Sequence, residues 1–264
     1  MVCVLTEFQN FRTSEKRKYV GTEAKVEALL KVLCEKGPLS LSSLAEEVAK
    51  MLNMKVSTVR SAIVKIVNDL ISLGVLKEVG TDRFGSRLID FTPKGFFVLQ
   101  RLRNFPREYV FKLVKRKVPE LIDYVEFTFI VWDANEIIEE AIAEWLGIKL
   151  EIPKESILNK IKVIAHSANY EPHLPDDWYA EPLKDFMLSK IAEIIEDRIA
   201  TLPYGYPNKN EAEEFFQYII EQAKKKQLIN VLKETLNKVE DDIYNEIKGL
   251  ELILKFLNNV KKSI

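Results

Sequence analysis

Between Thr22 and Leu102 the sequence runs through three helical apolar repeats, two short strand patterns and a fourth helix pattern, with little room between them. Val26, Leu29, Leu30 and Leu33 recur at helical spacing after Thr22, a possible cap, and Gly37-Pro38 stops that segment. Leu39-Ser40-Leu41 reads as short and extended. Ser42 or Ser43 can cap a second helix through Leu44, Ala45, Val48, Ala49 and Leu52. The tight connection Met54-Lys55-Val56 leads to Ser57, read as the next cap. A third helix follows, with Val59, Ala62, Ile63, Ile66, Val67, Leu70 and Leu73 inward and Gly74 ending it. Residues 75–79 and 87–91 read as strands joined by a glycine-bounded loop, 80–86. Thr92-Pro93 then supplies a cap with proline at the first helical position, opening a helix through Phe96, Phe97, Leu99 and Leu102.

This order resembles the winged helix-turn-helix transcription regulators of bacteria and archaea. Three motifs carry the likeness: Ser57-Thr58-Val59-Arg60, similar to a recognition-helix start; Leu73-Gly74-Val75-Leu76, similar to the turn into a wing; and Phe91-Thr92-Pro93-Lys94-Gly95, similar to the exit after it. The resemblance covers residues 22–103, under a third of the chain. It implies a DNA-binding domain whose recognition helix offers its N-terminal residues to the major groove. Ser57, Thr58, Arg60, Ser61, Lys65 and Asn68 lie on or near the side opposite the apolar set. Arg60 suits guanine O6 and N7, the three hydroxyls suit phosphates or bases, and Asn68 is a further base-contact candidate. On the wing, Arg83 beside Phe84 and Arg87 in the second strand suit the backbone or minor groove, although Asp82 would repel phosphate. Winged helices also serve as protein–protein modules, so an adaptor in a replication or partition assembly is the alternative reading.

Charge divides the chain in the same place. Residues 1–118 carry 22 Lys+Arg against 12 Asp+Glu; residues 119–264 carry 17 against 28. Nine of the ten arginines precede residue 119. Such asymmetry suggests a basic nucleic-acid-binding part joined to an acidic part with another task. The expected organisation is mainly α: a basic arm or short helix at 1–21 (Arg12, Lys16, Arg17, Lys18), the winged helix at 22–103, a basic connecting helix at 104–118 and an acidic helical domain at 119–264. A fragment ending near Lys117 is expected to fold and keep weak DNA affinity.

In the acidic part, 121–132 alternates partly (Val125, Phe127, Phe129, Val131) and fits a buried strand or a buried helix. Helices are expected at 135–146, within 153–166, at 183–202 and at 210–226, with an aromatic, proline-rich loop at 166–182. The last segment is the most regular: Leu232, Leu236, Val239, Ile243, Ile247, Leu250, Leu254 and Leu257 are spaced 4, 3, 4, 4, 3, 4 and 3 apart. Such a stripe must be buried, either in a domain core or in a homodimer of C-terminal helices. The acidic domain is also a candidate site for a protein partner.

Catalytic signals are weak. His166 and His173, with Glu171, Asp176 and Asp177, lack the spacing of a compact metal site, and no phosphate loop, dinucleotide turn or nucleophile elbow is present. Cys34 sits among Leu30 and Leu33 and reads as core. The expectation is a protein without enzymatic activity, cofactor or metal. Cys3 and Cys34 are too few for a disulfide framework, no basic-then-apolar leader opens the sequence, and the longest apolar runs fall far short of the ~20 residues that cross a bilayer. These features lead to the expectation of a cytoplasmic protein. Abundant Lys, Glu and Ile with five Gln would suit a thermophile.

Overall fold

The computed structural model describes residues 21–145, 147, 156–171, 173–201 and 209–263. It is mainly helical, with one small antiparallel sheet, and divides into two compact units. The first takes its described residues from Met1–Pro119 and Pro153–Tyr179; the second from Glu120–Ile152 and Ala180–Ile264.

In the first unit, α1 (Thr22–Lys36), β1 (Leu39–Ser40), α2 (Leu41–Met51) and α3 (Val56–Ser72) precede the hairpin β2 (Leu76–Thr81) and β3 (Arg87–Phe91). The apolar repeats do what their spacing requires: Leu29, Leu30 and Leu33 of α1, Leu44 and Val48 of α2, and Val59, Ile63 and Leu70 of α3 meet in one core. The capping residues differ from the sequence reading. Helix α1 starts at Thr22 after Gly21 without a side-chain cap, and α2 is capped by Ser40, whose Oγ accepts from the Ser43 N–H at 3.3 Å. Ser57 does not cap α3; Lys55 holds that position without a side-chain bond, which leaves Ser57 in the first turn. The extended Leu39-Ser40 segment joins the sheet, in the order β1-β3-β2, through the pairs Leu39↔Ile89 and Ser40↔Leu88.

Thr92 caps α4 (Pro93–Arg101) by accepting from the Gly95 N–H at 2.9 Å, as its sequence predicts, and its hydroxyl donates to the Gly74 carbonyl at 2.6 Å. Gly74, at φ 70°, makes the left-handed turn that redirects the chain from α3 into β2. Helix α5 (Arg107–Lys117), expected as a connector, packs against α1 and α4 instead. Three of its cations form ion pairs within the unit: Lys112 with Glu35, and Arg116 and Lys117 with the buried Asp90 of β3.

The expected division at residue 119 is corrected in one respect. Helix α7 (Ile157–Ala168) and the segment after it belong to the first unit. Ile161 and Ala165 are fully buried and α7 lies against α4 and α1. The Ile157 N–H donates to Glu23, and Trp178 Nε1 donates to the Phe91 carbonyl at 3.0 Å. The aromatic loop is thus divided, with Trp178 packed against Phe96 while Tyr170 and Tyr179 are exposed. The charge division survives this reassignment: by sequence the first unit carries 25 Lys+Arg against 16 Asp+Glu, and the second 14 against 24.

The second unit comprises α6 (Ile122–Trp145), α8 (Ala180–Thr201), α9 (Lys209–Lys225) and α10 (Ile229–Ser263). Residues 121–132 are helical after a short 3-10 turn, not a strand. The partial alternation arises because α6 is covered by α8, α9 and α10, so Val125, Phe127, Phe129, Ile130 and Val131 are all buried. The expected helix at 135–146 is the second half of α6. Tyr124 of α6 donates to Glu234 of α10 at 2.8 Å, and Lys184 of α8 reaches the same carboxylate at 3.0 Å. Hydrogen bonding to Tyr124 and Glu234 raises the Lys184 pKa, keeping the ammonium charged.

The C-terminal stripe changes character along α10. Leu232 and Val239 are buried, and Ile243 packs against the same core. Leu236 and, from Ile247 onward, Leu250, Leu254 and Leu257 are exposed.

Candidate nucleic-acid interface

Helix α3 has two chemically distinct sides. Val59, Ile63, Ile66, Val67 and Leu70 are buried, whereas Ser57, Thr58, Arg60, Ser61, Lys65 and Asn68 are all exposed. Residues three and four apart share a helix face, so Ser57, Ser61, Val64 and Asn68 form one row. Arg60 flanks that row on one side, and Thr58 and Lys65 on the other. The row is about 16 Å long at 1.5 Å per residue, comparable to the roughly 12 Å width of a DNA major groove. From Val48 to Asn68 the sequence holds Lys50, Lys55, Arg60 and Lys65 and no acidic residue. The positive end of the α3 dipole lies at this same N-terminal turn, where Val56, Ser57 and Thr58 are exposed.

Val64, 36% exposed within the row, was not among the residues singled out from sequence. A search for polar side chains passes over it, but the 57, 61, 64, 68 spacing would have found it. Val56 and Met51 are also exposed near the start of α3.

The hairpin tip is organised by Asp82. One carboxylate oxygen accepts from the N–H groups of Phe84 and Ser86, both at 2.8 Å, and the Asp82 carbonyl accepts from Gly85 at 3.0 Å. The bond from Ser86, joined by that from Phe84, holds the carboxyl below the usual carboxylate range. Asp82 thus has a structural role that its charge alone did not suggest. Gly80 and Gly85 take positive φ, and the β2–β3 register shifts between Glu78 and Gly80. At the tip Phe84 is 79% exposed, with the Arg83 guanidinium 4.7 Å from its ring centroid. Arg87 is exposed and donates to Glu78 at 2.8 Å across the hairpin; an exposed pair of this kind contributes little, so phosphate can compete for the guanidinium.

Other sequence candidates fall elsewhere. The Arg12–Lys18 arm lies outside the described residues. Cys34 is buried, and that burial pushes its thiol pKa far up, as expected of a core residue. His166 packs edge-on against Tyr170 and, with Lys94 and Asn169, lines a shallow cleft of about 280 Å³. No group of three His, Cys, Asp or Glu side chains placed to hold a metal ion occurs among the described residues. Nor, among them, is any helix long and apolar enough to cross a membrane. No family model, curated protein or solved structure matches the chain.

Proposed function

We propose that the chain is a sequence-specific double-stranded DNA-binding protein, acting as a transcription regulator without catalytic activity. In this reading α1 to β3 form a winged helix-turn-helix, α3 is the recognition helix and the β2–β3 hairpin is the wing. The carrying observation is the exposed side of α3: six hydrogen-bonding side chains, two of them cationic, with no carboxylate among them. Arg60 would read guanine, Ser57, Thr58 and Ser61 would bind phosphates or base edges, and Lys65 would neutralise phosphate. Val64 would meet a thymine methyl group, the apolar feature of the major groove. Arg83 and Phe84 would follow the backbone or enter the minor groove. The acidic second unit avoids phosphate, and the chain acts as a homodimer through its C-terminal helices.

The test is the affinity of the full chain for labelled duplexes drawn from its own genome, measured across a salt series. The reading expects binding that weakens steeply with salt, with a slope of log K against log salt of several, about 0.9 for each phosphate neutralised. Absence of binding near 50 mM salt would leave the exposed α3 side, with Val56 and Val64, as the surface of a protein adaptor.

A further inference from the structure

The distal part of α10 is an apolar helix face without a partner among the described residues. Ile247, Leu250, Ile253, Leu254 and Leu257 are each between 47% and 60% exposed, while Leu252 and Phe256, also exposed, lie on the other side of the helix. Together these five present on the order of 500 Å² of apolar surface, the size of the largest patch on a typical monomer and over half of the ~800 Å² each partner covers in a standard interface. Ile247, Leu250, Leu254 and Leu257 are spaced 3, 4 and 3 apart, the repeat of a two-helix seam. The seam continues the stripe that Leu232, Val239 and Ile243 bury inside the unit.

Charge selects the occupant. In the sequence, 240–246 holds Glu240, Asp241, Asp242 and Glu246 and no base, whereas 255–262 holds Lys255, Lys261 and Lys262 and no acid. A second copy laid antiparallel brings the acidic stretch of each chain beside the basic stretch of the other. A parallel copy would set four carboxylates beside four.

We infer that two copies of this chain pair antiparallel through the distal half of α10, with the two-fold axis near Leu252. Ile247 then faces Leu257 of the other copy, and Leu250 faces its Leu254. This inference rests on the homodimer of the proposed function and is independent of DNA binding, so its test is run without DNA.

Ile247→Cys and Leu257→Cys are made separately in a Cys3→Ser full chain, mixed, and oxidised. Both positions are exposed, so neither substitution opens the core. The antiparallel pair yields a disulfide between the two different variants, while Leu257→Cys alone yields little, because its two copies lie about 15 Å apart along the axis. Sedimentation of the parent is expected to show a dimer. Leu250→Asp with Leu254→Asp is expected to raise its dissociation constant at least 100-fold while melting remains cooperative. Efficient disulfide formation by Leu257→Cys alone would show a parallel pair and overturn the inference while leaving a homodimer. A parent that stays monomeric at high micromolar concentration would overturn both.

Discussion

Arg116 holds Asp90 with both ends of its guanidinium, Nη1 to Oδ2 at 2.8 Å and Nη2 to Oδ1 at 3.0 Å, and so fastens α5 to the middle strand of the sheet. Asp90 has no solvent exposure; Lys117 reaches it at 2.6 Å and the Phe91 N–H at 2.9 Å. Burial pushes the Asp90 pKa up, but the bonds from Arg116 and Lys117 outweigh it and hold the carboxyl below its ordinary range.

Breaking this pair should therefore cost stability in a pH-dependent way. Arg116→Met is expected to lose about 3 kcal/mol at pH 7, the cost of leaving a buried charge short of its partner. Because the folded-state pKa of Asp90 is depressed, the native chain binds fewer protons there than the unfolded chain. The contribution is complete above the ordinary carboxylate pKa of about 3.9 and is lost as pH falls through the folded value. Urea unfolding of parent and variant should show a gap at pH 7 that narrows at about pH 3. An equal gap at both pH values would contradict this account.

Gly95 tests how closely α4 approaches the sheet. A Cβ at that position would lie 2.1 Å from the Val75 carbonyl oxygen, a backbone atom that cannot swing aside. Gly95→Ala is expected to destabilise by about 3 kcal/mol, at the upper end for overpacking. Thr92→Ala, which removes the cap and the hydroxyl bond to the Gly74 carbonyl, should cost about 2 kcal/mol. Thermal melts of the two variants check the order.

Helix α7 predicts the behaviour of a fragment. A chain ending at Pro119 lacks Ile161, Ala165 and the Trp178 bond to Phe91, and leaves bare the surfaces of α1 and α4 that α7 covers. It should melt well below the first unit of the full chain, and a peptide of residues 153–179 added in trans should raise its melting temperature. A fragment unaffected by the peptide would show that α7 contributes little to that unit.

The sequence displayed whatever depends on neighbours a few residues apart. The two sides of α3, the Thr92-Pro93 cap and the turn at Gly74 all follow from local spacing, so the six exposed residues were visible beforehand. What it concealed depends on distant partners. Asp90 and Arg116 are 26 residues apart, and nothing local separates Arg116 from a cation free to meet phosphate. Glu23 and Ile157 are 134 residues apart, so the membership of α7 in the first unit had no local signal. In 121–132 the period was ambiguous because a helix covered on several sides loses its polar stripe.

The central claim is that the exposed side of α3 reads DNA, and the most direct measurement compares Arg60→Ala with Arg83→Ala on a selected duplex and on random duplex across a salt series. Both variants should first be shown to melt like the parent. Arg60→Ala is expected to cost about 1–3 kcal/mol on the selected site, relax preference at one base pair and change random binding little. Arg83→Ala is expected to weaken both duplexes by similar factors and to lower the salt slope by about 0.9, one released counterion. If neither substitution changes affinity at any salt concentration, the α3 side and the hairpin tip do not contact DNA and the account fails.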